Sequence, residues 1–169
     1  MKSLILAAAT ALGAAGCFVA VPAAAAPIPA CGNNSLAVSA TGTQGATGHG
    51  NFIVLFKNRT QQSCTIHGYP GLDALNAHGG VMAHATRTLN GFTGGSRHGV
   101  PTVLVRPGHF ASADVEWMNF NPTNAHSCAF SHSVATTPAN TSHTVRLARS
   151  VSVCRLQVHP TVAGKSGNG

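Results

Sequence analysis

A chain of 169 residues that is 44% hydrophobic and only 8% charged is not a disordered polyelectrolyte. Its single tryptophan and single tyrosine, with no basic stripe between aromatics, offer no stacking platform, so nucleic acid is not an expected partner. The net charge of +7, from 10 Lys and Arg against 3 Asp and Glu, points to a solubilising surface or to anionic partners.

In chain order, Lys2, an apolar run from Leu4 to Val21 and then PAAAAP (22–27) predict a secretory leader, residues 1–25. Cleavage after Ala25 places Ala23 at the other small-residue position. AAGC (14–17) matches a lipoprotein box only in part. FVAV follows Cys17 where a lipidated end needs a polar tether, so release without lipid is expected. No later run is long and charge-free enough to span a bilayer, which predicts no transmembrane segment after cleavage. Residues 26–162 are expected to form one domain, and AGKSGNG (163–169), with little to pack, a disordered tail.

Within that domain, short runs rich in Val, Ile, Leu, Phe and Thr alternate with turn clusters: SLAVSA (35–40), NFIVLFKN (51–58), SCTIHG (63–68), TVLVRP (102–107), HFASADVEW (109–117), HTVRLA (143–148) and VCRLQVH (153–159). Pro70 and Gly71 fit the central positions of a type II turn. NAHGG (76–80), LNGFTGGSRHG (89–99), RPGH (106–109) and NFNPTNAH (119–126) punctuate the rest. With no helical periodicity, the pattern predicts an all-β antiparallel sandwich. In HFASADVEW, Ala111, Ala113, Val115 and Trp117 share one face, expected to be core. Ser112, Asp114 and Glu116 share the other, expected to be exposed. In VCRLQVH, simple alternation puts Cys154 inward with Leu156 and Val158.

Cys31, Cys64, Cys128 and Cys154 remain after the leader. Their spacing has no CxxC, so it suggests disulfides rather than a zinc knuckle or redox pair. Four cysteines allow three pairings, and the sequence does not choose among them. Cys31–Cys64 and Cys128–Cys154 are favoured because each ties a terminal segment to nearby chain. His67 follows Cys64 by three residues, which on a strand sets them on opposite faces, so a crosslink is expected there rather than a thiol and its base.

Chemistry has few footholds. Asp114 and Glu116 are adjacent acids without a recognisable groove. Ser96 and His98 lie in GGSRHG, which lacks the GxSxG spacing of a nucleophile elbow, and only Asp73, Asp114 or Glu116 could orient a histidine. Ten histidines follow the leader: His49, His67, His78, His84, His98, His109, His126, His132, His143 and His159. None forms HxH, HExxH or HxxxH, although His78/His84 and His126/His132 are each six apart. No catalytic residue, metal ligand or cofactor is therefore expected. A histidine-mediated metal or haem site is the alternative.

The combination of Cys31 before a first strand, GATGHGNFIVLFKNRTQQSCTIHGYPGL (45–72), VLVRPGHFASADVEW (103–117), Cys128 and CRLQVHP (154–160) resembles the secreted actinobacterial domain of unknown function 4232. The resemblance implies an immunoglobulin-like sandwich, an exported setting and two disulfides, and it carries no catalytic residue over. His49, after the glycine of GATGHG, is expected to cap a turn or bond a backbone group.

Taken together these readings predict a secreted or cell-envelope-associated, non-enzymatic binding module. Its partner would be an anionic envelope polymer or an envelope protein, met through loops 76–99 and 119–127.

Overall fold

The computed structural model describes residues 26–92 and 98–168. The expected leader with Cys17, and Ser96, lie outside them. The described residues form strands and turns with no helix. The strands are β1 Leu36–Ala40, β2 Gln44–Ala46, β3 His49–Asn58, β4 Cys64–His67, β5 Gly71–Leu75, β6 Val81–His84, β7 Thr86–Arg87, β8 Thr102–Val105, β9 Phe110–Met118, β10 Ser133–Thr137, β11 Val145–Leu147, β12 Cys154–Val158 and β13 Val162–Ala163. The largest sheet runs β1-β3-β9-β12-β7, with β2 on β3 and β13 on β9; β11-β10-β5-β6 and β4-β8 form two others. Among these strands pairing is antiparallel except between β12 and β7. The result is the sandwich-like all-β architecture that the short alternating runs predict, and both favoured disulfides are present, Cys31–Cys64 and Cys128–Cys154.

The core follows from the register of the two long central strands. Gly50 faces Trp117, Phe52 faces Val115, Val54 faces Ala113 and Phe56 faces Ala111. Gly50 and the seven side chains are buried, in one cluster with Ile66, Val105, Val134 and Val158. Opposed residues of an antiparallel pair project to the same side, so one face of β3–β9 is continuous apolar core. Gly50 is required here: a Cβ would sit 2.4 Å from the indole ring of Trp117.

The opposite face is where alternation alone misleads. Asp114 and Glu116 are buried, not exposed, because β9 is a central strand and chain covers it on both sides. The segment after β7 donates the Phe92 backbone N–H to Glu116 Oε2 at 2.8 Å. From the other direction the chain end folds back, with Gly167 N–H on Ser112 Oγ at 3.0 Å. Composition gave residues 163–169 as a frayed tail. Instead, Val162–Ala163 pairs with β9 and Gly167 is buried against Ile53 and Asp114.

A bulge re-phases β12. Cys154 pairs with Met118 but Gln157 pairs with Glu116, three steps on one strand against two on the other, with Arg155 at φ 49°. Cys154 therefore lies on the Glu116 side with Gln157, not on the face of Leu156 and Val158, and it is half-buried. The expected type II turn at Pro70-Gly71 is also absent. Gly71 is extended as the first residue of β5, paired with Thr137, and the positive φ falls at Gly68 (108°).

Candidate functional site

The bulge brings three polar side chains together that the sequence left apart. Gln157 and Glu116 are directly opposed, and His159, two residues on, reaches the same carboxylate. Glu116 Oε2 accepts from Phe92 N–H (2.8 Å) and Gln157 Nε2 (3.0 Å), and lies 3.0 Å from His159 Nε2. His159 Nδ1 lies 3.1 Å from the carbonyl oxygen of Thr88, and Gln157 Nε2 also donates to the carbonyl of Asn90. Among the described residues, Asp114, Glu116 and His159 are the group of acids and imidazoles whose ligand atoms converge, within 4.8 Å of one another. An ion there would have to displace these bonds inside a site that solvent does not reach. The cluster pins the segment after β7 to the sheet, satisfying buried polar groups that would each be costly alone.

The other described histidines are dispersed. His84 Nδ1 meets Asp73 Oδ1 at 2.7 Å on the surface, and His67 Nδ1 sits 3.2 Å from the Pro101 carbonyl oxygen. His67 does not serve Cys64, which is bridged to Cys31. Among the described residues the His49 side chain caps no turn: its Nδ1 is buried without a hydrogen-bond partner, and its ring packs between Phe92 (5.4 Å between centroids) and Phe120 (6.3 Å). The two expected contact loops are held by asparagines. Asn76 Oδ1 takes the N–H groups of His78 and Gly80, and Asn121 Oδ1 takes that of Thr123. Neither loop gathers cations among its described residues.

A cationic cleft forms elsewhere, at the Phe110 end of the polar face. Lys57, opposed to Phe110 across β3–β9, holds its Nζ 5.7 Å from the ring centroid. The returning chain end is fixed by Gly164 N–H on the Phe110 carbonyl (2.9 Å) and sets Lys165 Nζ 4.2 Å from the same ring. Arg106 and His109, from the β8–β9 turn, line the cleft with Leu104 and Phe110; its volume is about 430 Å³, and among the described residues no acid side chain lines it. The sequence showed RPGH as a turn but gave no sign that Lys57 and Lys165 would join it, because that proximity needs the β3–β9 register and the docked chain end.

A second cleft of about 550 Å³ lies beside Gln44, Trp117, Asn119 and Phe130. Its Arg149 donates to the carbonyls of Thr41, Ala40 and Ala148, so that guanidinium is committed to backbone. No helix among the described residues is long and apolar enough to cross a membrane.

A family model described as "Domain of unknown function (DUF4232)" matches residues 31–164. No curated protein matches the chain. A solved structure of selenomethionine-labelled beta-glucosidase from Kluyveromyces marxianus is similar at 10% identity and a TM-score of 0.34. The match covers 77% of this chain and 15% of that one.

Proposed function

The chain belongs to the DUF4232 family of domains of unknown function, and from that footing we propose that it is an exported, non-catalytic domain that binds anionic polymers of the cell envelope. The observation that carries this reading is where the charges sit. Of three carboxylate side chains, Asp114 and Glu116 are buried, leaving Asp73, half-buried, as the one that meets solvent. Every described Lys and Arg except Arg149 is exposed. The surface potential is therefore more one-sided than the net charge of +7 conveys, and a field of that sign draws polyanions.

Two disulfides support an oxidising, extracytoplasmic setting. Non-catalytic action is supported by the histidine–acid geometry. His159 and Glu116 form an enclosed pair, with side chains 0% and 1% exposed among the described residues. The exposed pair, His84 and Asp73, forms a cross-strand contact between β5 and β6.

The test is retention on immobilised polyphosphate against neutral dextran. The expected result is retention on the polyanion alone, lost steeply between about 50 and 200 mM salt. Equal passage through both matrices at low salt would refute the reading.

A further inference from the structure

We infer that the cleft around Phe110 is a binding site for a linear phosphate polymer, with Lys57, Arg106 and Lys165 each meeting a different phosphate along the chain. This rests on the proposed anionic partner and adds where and how that partner is held. Three separate parts of the fold supply the cations: β3 gives Lys57, the β8–β9 turn gives Arg106 and His109, and the segment after β13 gives Lys165. Among the described residues no acid side chain lines the cleft, so none of them supplies its cations with a counter-charge. By contrast Arg149 and Arg146 donate to protein oxygens, and Arg155 lies over the Phe92 ring, 5.6 Å from its centroid.

Shape selects the kind of polyanion. Arg106, His109 and Lys165 line a concave trough with Phe110 and the exposed Leu104, and Lys57 stands beside it, its Nζ 5.7 Å from the Phe110 ring centroid. A flexible chain can lie in such a trough and engage several charges at once. Each later contact then gains from the high effective concentration set by the first. A single phosphate can satisfy one or two of these groups, and a flat bilayer would meet the rim and not the floor. Phe110 serves as a spacer: its ring face holds the Lys165 ammonium, and more distantly that of Lys57, without neutralising either.

The experiment compares two triple variants of equal net charge, K57Q/R106Q/K165Q in the cleft and R87Q/R146Q/R155Q outside it. Their binding to long-chain polyphosphate, inorganic phosphate and phosphatidylglycerol vesicles is measured, with thermal midpoint and Trp117 emission confirming the fold. The expected result is a loss of polyphosphate affinity of about tenfold or more in the cleft variant, with a shallower salt dependence, and a much smaller loss in the other. Inorganic phosphate should bind wild type far more weakly than the polymer. Equal losses in both variants would overturn the site while leaving the anionic-partner reading standing. Tight binding to vesicles without binding to polyphosphate would overturn the polymer assignment. No binding of wild type to any of the anions would remove both.

Discussion

His159 Nε2 lies 3.0 Å from Glu116 Oε2 across β9 and β12, and neither side chain meets solvent. The Thr88 carbonyl can only accept, so His159 Nδ1 donates to it. Phe92 N–H and Gln157 Nε2 also donate to Oε2, so this one oxygen ties the segment after β7 to β12. Removing one partner of such a buried pair strands the other. Glu116→Ala is expected to cost about 3–5 kcal/mol. Glu116→Gln keeps an acceptor for the Phe92 N–H and should cost less. Urea unfolding followed by Trp117 fluorescence reads both, and an E116A midpoint equal to wild type would show that the network contributes little.

Gly50 and Trp117 give a second expectation. The ring atoms that a Cβ at position 50 would meet at 2.4 Å belong to an indole that is only 2% exposed. Gly50→Ala is expected to destabilise by about 1–3 kcal/mol through overpacking. Because the chain has one tryptophan, its emission should shift in the same variant. An unchanged spectrum with unchanged stability would contradict the packing described.

What could be read in the sequence is what period-two alternation reports. The Trp117 face of β9 is buried, as Ala111, Ala113 and Val115 announce. NFIVLFKN, SCTIHG, TVLVRP and HFASADVEW all contain strands. Alternation cannot tell whether the second face is wet. Ser112, Asp114 and Glu116 look solvent-facing until residues 88–92 and the chain end cover them. It also fails at a bulge, since one extra residue near Arg155 moves Cys154 to the other face of its strand. β2, β5, β6, β7, β10 and β13 escaped: all but β10 (SVATT) carry at most one β-branched residue, and each is held by its neighbours. The cationic cleft was illegible because its parts are more than a hundred residues apart in sequence, Lys57 from Lys165.

The two disulfides should differ in how they open. Cys31 and Cys64 are 1% and 5% exposed, whereas Cys128 and Cys154 are half-buried beside exposed loop residues. Thiol exchange needs access to sulfur, so mild reductant should cleave Cys128–Cys154 first. Non-reducing peptide mapping along a reduction series reads the order. Each bridge closes a loop of comparable length, with separations of 33 and 26 residues. Cys31→Ala with Cys64→Ala is therefore expected to lose about 2–5 kcal/mol. Simultaneous opening of both bridges in the native protein would argue against the difference in access.

Gly167 links the chain end to the cationic cleft. Its φ is 69°, and a Cβ there would lie 2.7 Å from Ile53 Cδ1 and 3.0 Å from the Asp114 amide nitrogen. Gly167→Ala meets both a strained backbone and a closed wall, so the segment after Gly164 should lift from the sheet and release the Gly167–Ser112 hydrogen bond. The expected stability loss is about 1–3 kcal/mol. The charge of the protein is unchanged by this substitution, yet Lys165 leaves Phe110 and the cleft loses one wall. Polyphosphate affinity should therefore fall in G167A about as far as in K165Q, while inorganic phosphate binding barely changes. Lowered affinity with no change of charge separates a shaped site from a diffuse positive surface, and wild-type affinity in G167A would favour the diffuse surface.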